Sequence, residues 1–349
     1  MINEKDIRPA SSIYENIVHR KLYIILVLIA GILLSVIINI FVGSSGITIK
    51  ETLSALILQA SPTSNLIVWD IRMPVAVSAV LIGAALGIAG CEMQTILRNP
   101  MASAYTLGLS SAASFGASLA IVLNIGITAI SNYVITLNSL LFTLLAALII
   151  IGFAKKFNSE RGIIILFGIA LNFLFGSLTT ILKYIADEND LQSVIFWSFG
   201  SLTKISWEKL IIIFVVTIVC VILLVRKSWV LTAMSLSDVN AKSLGVNVDK
   251  TRRNTIFIVA LLAAVTVSFA GPIGFIGLVA PHISRMISGE DQRFFMPISA
   301  LIGAIFLSVA SILCKTLIPG TILPIGLVTS IIGIPFFVSL IVRKKRSYM

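Results

Sequence analysis

The chain has 349 residues, of which 58% are hydrophobic and only 12% charged, with a formal net charge of +11. A soluble domain carries about 25% charged residues, so this composition excludes an ordinary soluble enzyme. The positive surplus reads as membrane topology rather than a nucleic-acid footprint, because it follows the order of the apolar runs.

Residues 1–21 are polar and contain Glu4, Asp6 and Glu15. The apolar run after them is longer than a signal-peptide core and lacks a small-residue cleavage site, so it is expected to be a retained first span. A bilayer core about 30 Å thick takes about 20 helical residues. Ten spans are predicted, near 22–42, 73–97, 102–124, 133–154, 162–184, 209–226, 254–270, 275–287, 293–315 and 324–342. The expected fold class is an all-α membrane protein with ten transmembrane helices. Its parts are an N-terminal segment (1–21), a membrane domain (22–342) and a short tail (343–349). With the N-terminus inside, 20 of the 26 Lys and Arg residues fall on the inner side and 6 on the outer. The acids split 9 to 6, so the inner face carries all the net charge, as the positive-inside rule requires. Both termini are therefore expected in the cytoplasm.

Three segments depart from plain spans. The stretch Ala186–Trp207 mixes Leu191, Val194, Ile195, Trp197, Phe199 and Leu202 with polar residues and reads as a short helix at the outer surface. Trp69, Trp197 and Trp207 sit where interfacial aromatics belong. The polar stretch Arg226–Arg253 lies on the inner side. In it, Ser237-Asp238 caps a short helix through Leu244, and Gly245 stops it. Leu231, Leu236 and Leu244 give this stretch apolar faces that a plain loop does not need. The helical part of Gly271–Ser288 rises only about 20 Å and must be packed inside other helices. Ala89-Gly90…Pro100…Gly108 and Ala270-Gly271…Pro281…Gly289 share one spacing, a faint internal repeat.

The chemistry is sparse. The dipeptide Gly-Lys never occurs, so there is no phosphate-binding loop, and any ATP drive comes from another subunit. Cys91, Cys220 and Cys314 stand alone in apolar runs and read as small buried thiols. His19 and His282 are the only histidines, with no metal-ligand spacing, so no metal site is expected. An intramembrane serine protease would have to use Ser110 with His282. A proton-coupled carrier would have to use Glu92, the one prominent acid within a span. Glu92 is expected to reach the inner interface, or to pair with Arg98 or a neighbouring subunit.

Specific residues then point to a family. Arg72-Met73-Pro74 and the stretch Gly83–Ala120, with Gly83, Gly90, Gln94, Arg98, Asn99, Pro100, Met101 and Ala102 at patterned positions, closely resemble the Fec/Btu-type permeases. These are the membrane subunits of ferric-siderophore, haem and vitamin B12 ABC importers. Ser268–Met286, with Gly271, Pro272, Pro281, His282 and Arg285, and Leu323–Ile341 match as well, as does Ala241–Gly245. The resemblance runs from about residue 20 to the C-terminus.

It implies ten helices per subunit, a second permease subunit, two cytoplasmic ATPases that bind ATP and Mg, and an external substrate-binding protein. It makes 227–253 the coupling segment, centred on Ser235–Val246, with Ser235, Leu236, Asp238, Ala241, Lys242, Leu244 and Gly245 as contact candidates. It places the gate near Ile163–Phe199. The pathway candidates on and after the fifth span are Asn172, Ser177, Thr179, Thr180 and Phe199. It puts Arg72 and Lys315 at outer positions that dock the binding protein. Val75 departs from the pattern there, where an arginine is common. No cofactor is implied on the chain itself. An iron–siderophore substrate, catecholate or mixed in type, is expected from the overall resemblance, with haem and cobalamin open.

Overall fold

The computed structural model describes residues 10–43, 45–125, 133–157 and 160–346. All regular structure among them is helical. Helix α1 spans Ala10–Phe41, α2 Ile49–Leu56 and α3 Pro62–Leu66. A π-helical turn, Ile67–Arg72, runs without a break into α4, Met73–Leu97. There follow α5 (Leu109–Leu123), α6 (Val134–Lys156), α7 (Arg161–Ile185), α8 (Glu188–Ser198) and α9 (Trp207–Val225). The remainder is α10 (Ser228–Leu236), α11 (Asp238–Ser243), α12 (Val248–Ala270), α13 (Ile276–Ser288), α14 (Gln292–Thr316) and α15 (Ile325–Arg346). Seven of these are long and apolar enough to cross a membrane: α1, the α3–α4 run, α6, α7, α9, α12 and α14.

The bundle is built around α4, with α12, α13 and α14 packed on it. Small residues make this possible. A methyl added at Gly90 would overlap the Gly277 carbonyl, and one at Gly83 would overlap that of Gly303. The backbones of α4, α13 and α14 therefore touch directly, and dispersion and polar contacts replace the hydrophobic effect that lipid does not supply. Serines complete the seam: Ser299 Oγ donates to Gly87 O at 2.8 Å, and Ser284 Oγ donates to Phe295 O at 2.8 Å. The short helix α13 is enclosed by α4, α14 and α15, as its length demands. At the periphery, α1 and α9 turn Leu26, Leu33, Ile211, Val215 and Ile222 outward, as lipid-facing helices do.

Two boundaries differ from expectation. The expected span 102–124 is helical only from Leu109, since residues 101–108 form a turn. Arg98 closes α4 in the left-handed region (φ +47°), and Met101 N–H donates to Asn99 Oδ1 at 2.8 Å. Ser103 and Thr106 then satisfy each other's backbone N–H groups, so this irregular stretch is tolerated inside the bundle. The helix of the span expected at 254–270 also begins earlier, at Val248. Asn247 caps α12 by accepting from Lys250 N–H at 3.0 Å, so Lys250, Arg252 and Arg253 already belong to that helix.

Candidate functional site

At one end of the bundle, α10 and α11 stand outside the apolar helices. Ser237 is in extended conformation and its Oγ accepts from Asn240 N–H at 2.8 Å, which starts α11 where the sequence indicates. Gly245, at φ +81°, ends it through a conformation that side chains disfavour. Ala241 faces inward and is fully buried. Leu236, Val239 and Leu244 face outward at 59%, 76% and 70% exposure, and Lys242 is exposed beside them. Three large aliphatic side chains on so short a projection form an apolar knob with no partner among the described residues of this chain. Ser235 takes no part in it; its Oγ bonds back to Thr232 O at 2.8 Å.

Below the knob, Asp238 makes the densest ionic contact of this end. Both its oxygens accept from Arg252 at 2.9 Å, and Oδ2 lies 3.4 Å from the Arg161 guanidinium at the start of α7. Arg252 is 2% exposed, and its Nε donates to Ile96 O, in the last turn of α4, at 3.0 Å. The sequence reading missed both arginines except as inner-side charges. An arginine one turn inside a helix otherwise reads as a solvated surface residue, and nothing local marks it as buried.

Four of the remaining motif residues, Gln94, Arg98, Pro100 and Arg285, gather nearby. Gln94, Arg98, Pro100, Ser235, Arg285 and Glu290 line a cavity of about 220 Å³. Arg285 pairs with Glu290 at 3.4 Å and lies over the Phe295 ring. Asn99 shapes the turn after α4, and Pro281 sits buried within α13, one residue before His282. Gly271 and Pro272 turn the chain between α12 and α13. There Gly271 (φ +74°) packs on the Trp197 carbonyl and Gly200, where a side chain would clash. Glu92 does not reach the interface as expected. It is fully buried on α4, among close-packed helices that hold it away from either surface, and its Oε2 has no hydrogen-bond partner among the described residues. Ser110 lines a narrow gap with Ala89, Gly90 and Gly277, where close-packed backbone leaves no room for a substrate.

At the opposite end, the two residues expected to face a docking protein are turned inward. Arg72 is 4% exposed and donates to Ile40 O at 2.9 Å, Phe41 O at 3.1 Å and Ser45 Oγ at 2.8 Å. Lys315 is half-buried, and its Nζ donates to Asn39 O at 3.0 Å and to Asn39 Oδ1. Both cations sit at the last turn of α1, whose free carbonyls accept from them and whose partial negative charge favours them. Gly43 lies beside them, and a methyl there would press on the Arg72 guanidinium. Trp207 Nε1 donates to Trp69 O and Trp69 Nε1 to Ala55 O, so these tryptophans lock the α2–α4 corner.

The pathway candidates separate. Ser177 and Thr180 lie on the exposed face of α7, in a stripe with Leu166, Phe173 and Tyr184. Asn172 is half-buried and accepts from Ser111 Oγ, and Thr179 is buried with its hydroxyl on Phe175 O, so neither is free on that face. Helix α8, capped by Asp187, is the short helix expected after α7. Phe199 follows it and lines a cavity of about 410 Å³ with Tyr105, Thr106, Phe275 and Ser330.

A bundle of apolar helices with an apolar knob projecting from one end has the form of a multi-pass transporter subunit. The comparisons with known proteins agree. Residues 29–343 match the model of the FecCD transport family, and the chain belongs to that family. It is 36% identical over 338 residues to a Methanocaldococcus jannaschii protein named as an ABC transporter permease, covering 95% of this chain and 97% of that one. It is 34% identical to the molybdate import system permease protein MolB of Haemophilus influenzae, covering 84% of this chain and 86% of that one. A solved inward-facing ABC transporter of metal-chelate type superposes with a TM-score of 0.82 at 30% identity, covering 92% of this chain and 99% of that one. The chain is thus an ABC importer permease that works in a membrane complex with partner subunits.

Proposed function

We propose that this permease carries ferric-siderophore complexes across the cytoplasmic membrane. It works with ten spans, both termini in the cytoplasm, a second permease subunit, two cytoplasmic ATPases and an external binding protein. The observation that carries the reading is the α10–α11 knob. Leu236, Val239 and Leu244 are exposed at the positively charged end of the bundle, while Ala241 and Asp238 fasten the same turn to the helices beneath it. A surface of this kind suits insertion into a groove of an ATPase, whose closure on ATP then moves the bundle. The exposed α7 stripe is the surface for the second permease and the shared pathway, and its weakly polar Ser177 and Thr180 let a bulky chelate pass without a tight stop.

The likeness to a metal-chelate transporter supports a chelated metal as cargo. The molybdate name of one relative shows that family membership alone does not select the substrate. The test is uptake into vesicles reconstituted with the ATPase and binding protein. Leu244→Asp is expected to release the ATPase on purification and to lower uptake about tenfold or more. Retention of both in that variant refutes the knob's role. Competition by a ferric catecholate, a ferric hydroxamate, haem, cobalamin and molybdate reads the substrate, and the ferric chelates are expected to compete best.

A further inference from the structure

We infer that Asp238 is a joint that transmits movement of α11 to α7, with Arg161 as the positioning residue on the moving side and Arg252 as the fixed pivot. The inference rests on the reading of α11 as the ATPase contact and adds the route by which displacement there reaches the pathway.

The three contacts are unequal. Asp238 is held by Arg252 through two bonds of 2.9 Å, and by Arg161 through one of 3.4 Å. Arg252 is 2% exposed and tied to Ile96 O, so it moves with α4, the most enclosed helix of the bundle. Arg161 is 29% exposed and begins α7, a helix that rests on α5 and α6 and leaves Leu166, Phe173 and Tyr184 exposed. Asp249 lies 4.0 Å from Arg252, so Arg252 has a second acid nearby, and the carboxylate of Asp238 is the one that Arg252 and Arg161 share.

A tilt of α11 about this pivot therefore loads the weak link first. The Arg252 pair stays closed, because breaking it strands a buried cation. The Arg161 pair opens or tightens, because it is longer and partly solvated. The free end of α7 is then pulled or released while α4 stays in place. Helix α7 carries Ser177 and Thr180, so the same stroke moves the wall of the proposed pathway. A buried pivot beside a partly exposed partner lets one contact change while the other holds.

The experiment uses the full complex with its ATPase and binding protein in vesicles. ATP hydrolysis and uptake are measured in parallel for Arg161→Gln and Arg161→Lys. In Arg161→Gln, recovery of the complex and hydrolysis are expected to stay within about twofold, while uptake per ATP falls about tenfold. Arg161→Lys, which keeps the charge, is expected to restore most of that loss. A spectroscopic distance between labels at Tyr184 on α7 and Ile211 on α9 supplies a second readout. It is expected to change on nucleotide binding in the unaltered complex and not in Arg161→Gln. Unchanged uptake per ATP in Arg161→Gln, or a loss that follows the amount of complex recovered, overturns the joint alone. Absence of an ATPase from the unaltered purified complex overturns the joint together with the reading beneath it.

Discussion

Two buried arginines, one at each end of the bundle, perform the same local task under different constraints. Arg72 and Arg252 both donate to the carbonyls of a helix's last turn, α1 in one case and α4 in the other. Around Arg72 the other partners are neutral or cationic: Ser45, Thr52 and the nearby Lys315 on the same helix end, with no carboxylate in ion-pair range among the described residues. Its charge is balanced by the helix terminus alone. Arg252 has a carboxylate, and that carboxylate belongs to a projection outside the bundle. The first arginine can only hold a corner shut. The second connects the interior to a surface segment, so the position of that segment is felt inside.

The comparison can be broken at three points. Arg252→Leu has the largest expected effect, because it strips Asp238 of two bonds and frees Ile96 O inside the bundle. The loss is expected at about 3–5 kcal/mol. It would appear as a lower unfolding temperature of the detergent-solubilised permease and new proteolysis near residues 236–247. Arg72→Leu is expected to cost about 1.5–3 kcal/mol, since its partners are neutral carbonyls and hydroxyls. Here the unfolding temperature should fall while proteolysis at α11 stays unchanged. An increase in α11 cleavage would mean the two ends are not independent. Lys315→Met is expected to cost about 0.3–1 kcal/mol, because Lys315 is half-buried and Arg72 still covers the same helix end. The double variant Arg72→Leu/Lys315→Met sharpens the point: its loss should differ from the sum of the singles, because they share α1's carbonyls.

The sequence showed the helices well and their joints poorly. Met73–Leu97 is a helix over the predicted bounds, because a run between Arg72 and Arg98 whose one charged residue is Glu92 leaves no other choice for backbone in lipid. The cap at Ser237 and the stop at Gly245 were readable for the same kind of local reason. The turn over residues 101–108 was not. Its residues are as apolar as a helix, and what bends them is a set of side-chain bonds from Asn99, Ser103 and Thr106 that no hydropathy pattern records. The inward bonding of Arg72 and Lys315 was not legible, because position at a helix end suggests exposure. Only the three-dimensional path of α1 reveals that its terminus comes between them. The bonding of Thr179 and Asn172 was hidden for a related reason: helical phase turns one inward, and Ser111 bonds the other.

One residue at the start of α13 has a mechanical consequence. Phe275 occupies the left-handed region at φ +68°, where a bulky side chain pays about 1–3 kcal/mol in steric strain. Its ring is accommodated because position 333 is glycine, where a methyl would collide with Phe275 Cβ and Cγ. The first turn of α13 is therefore pinned against α15 at this one close contact. A side chain at position 333 would push the turn off α15 and reshape the 410 Å³ cavity that Phe275 lines.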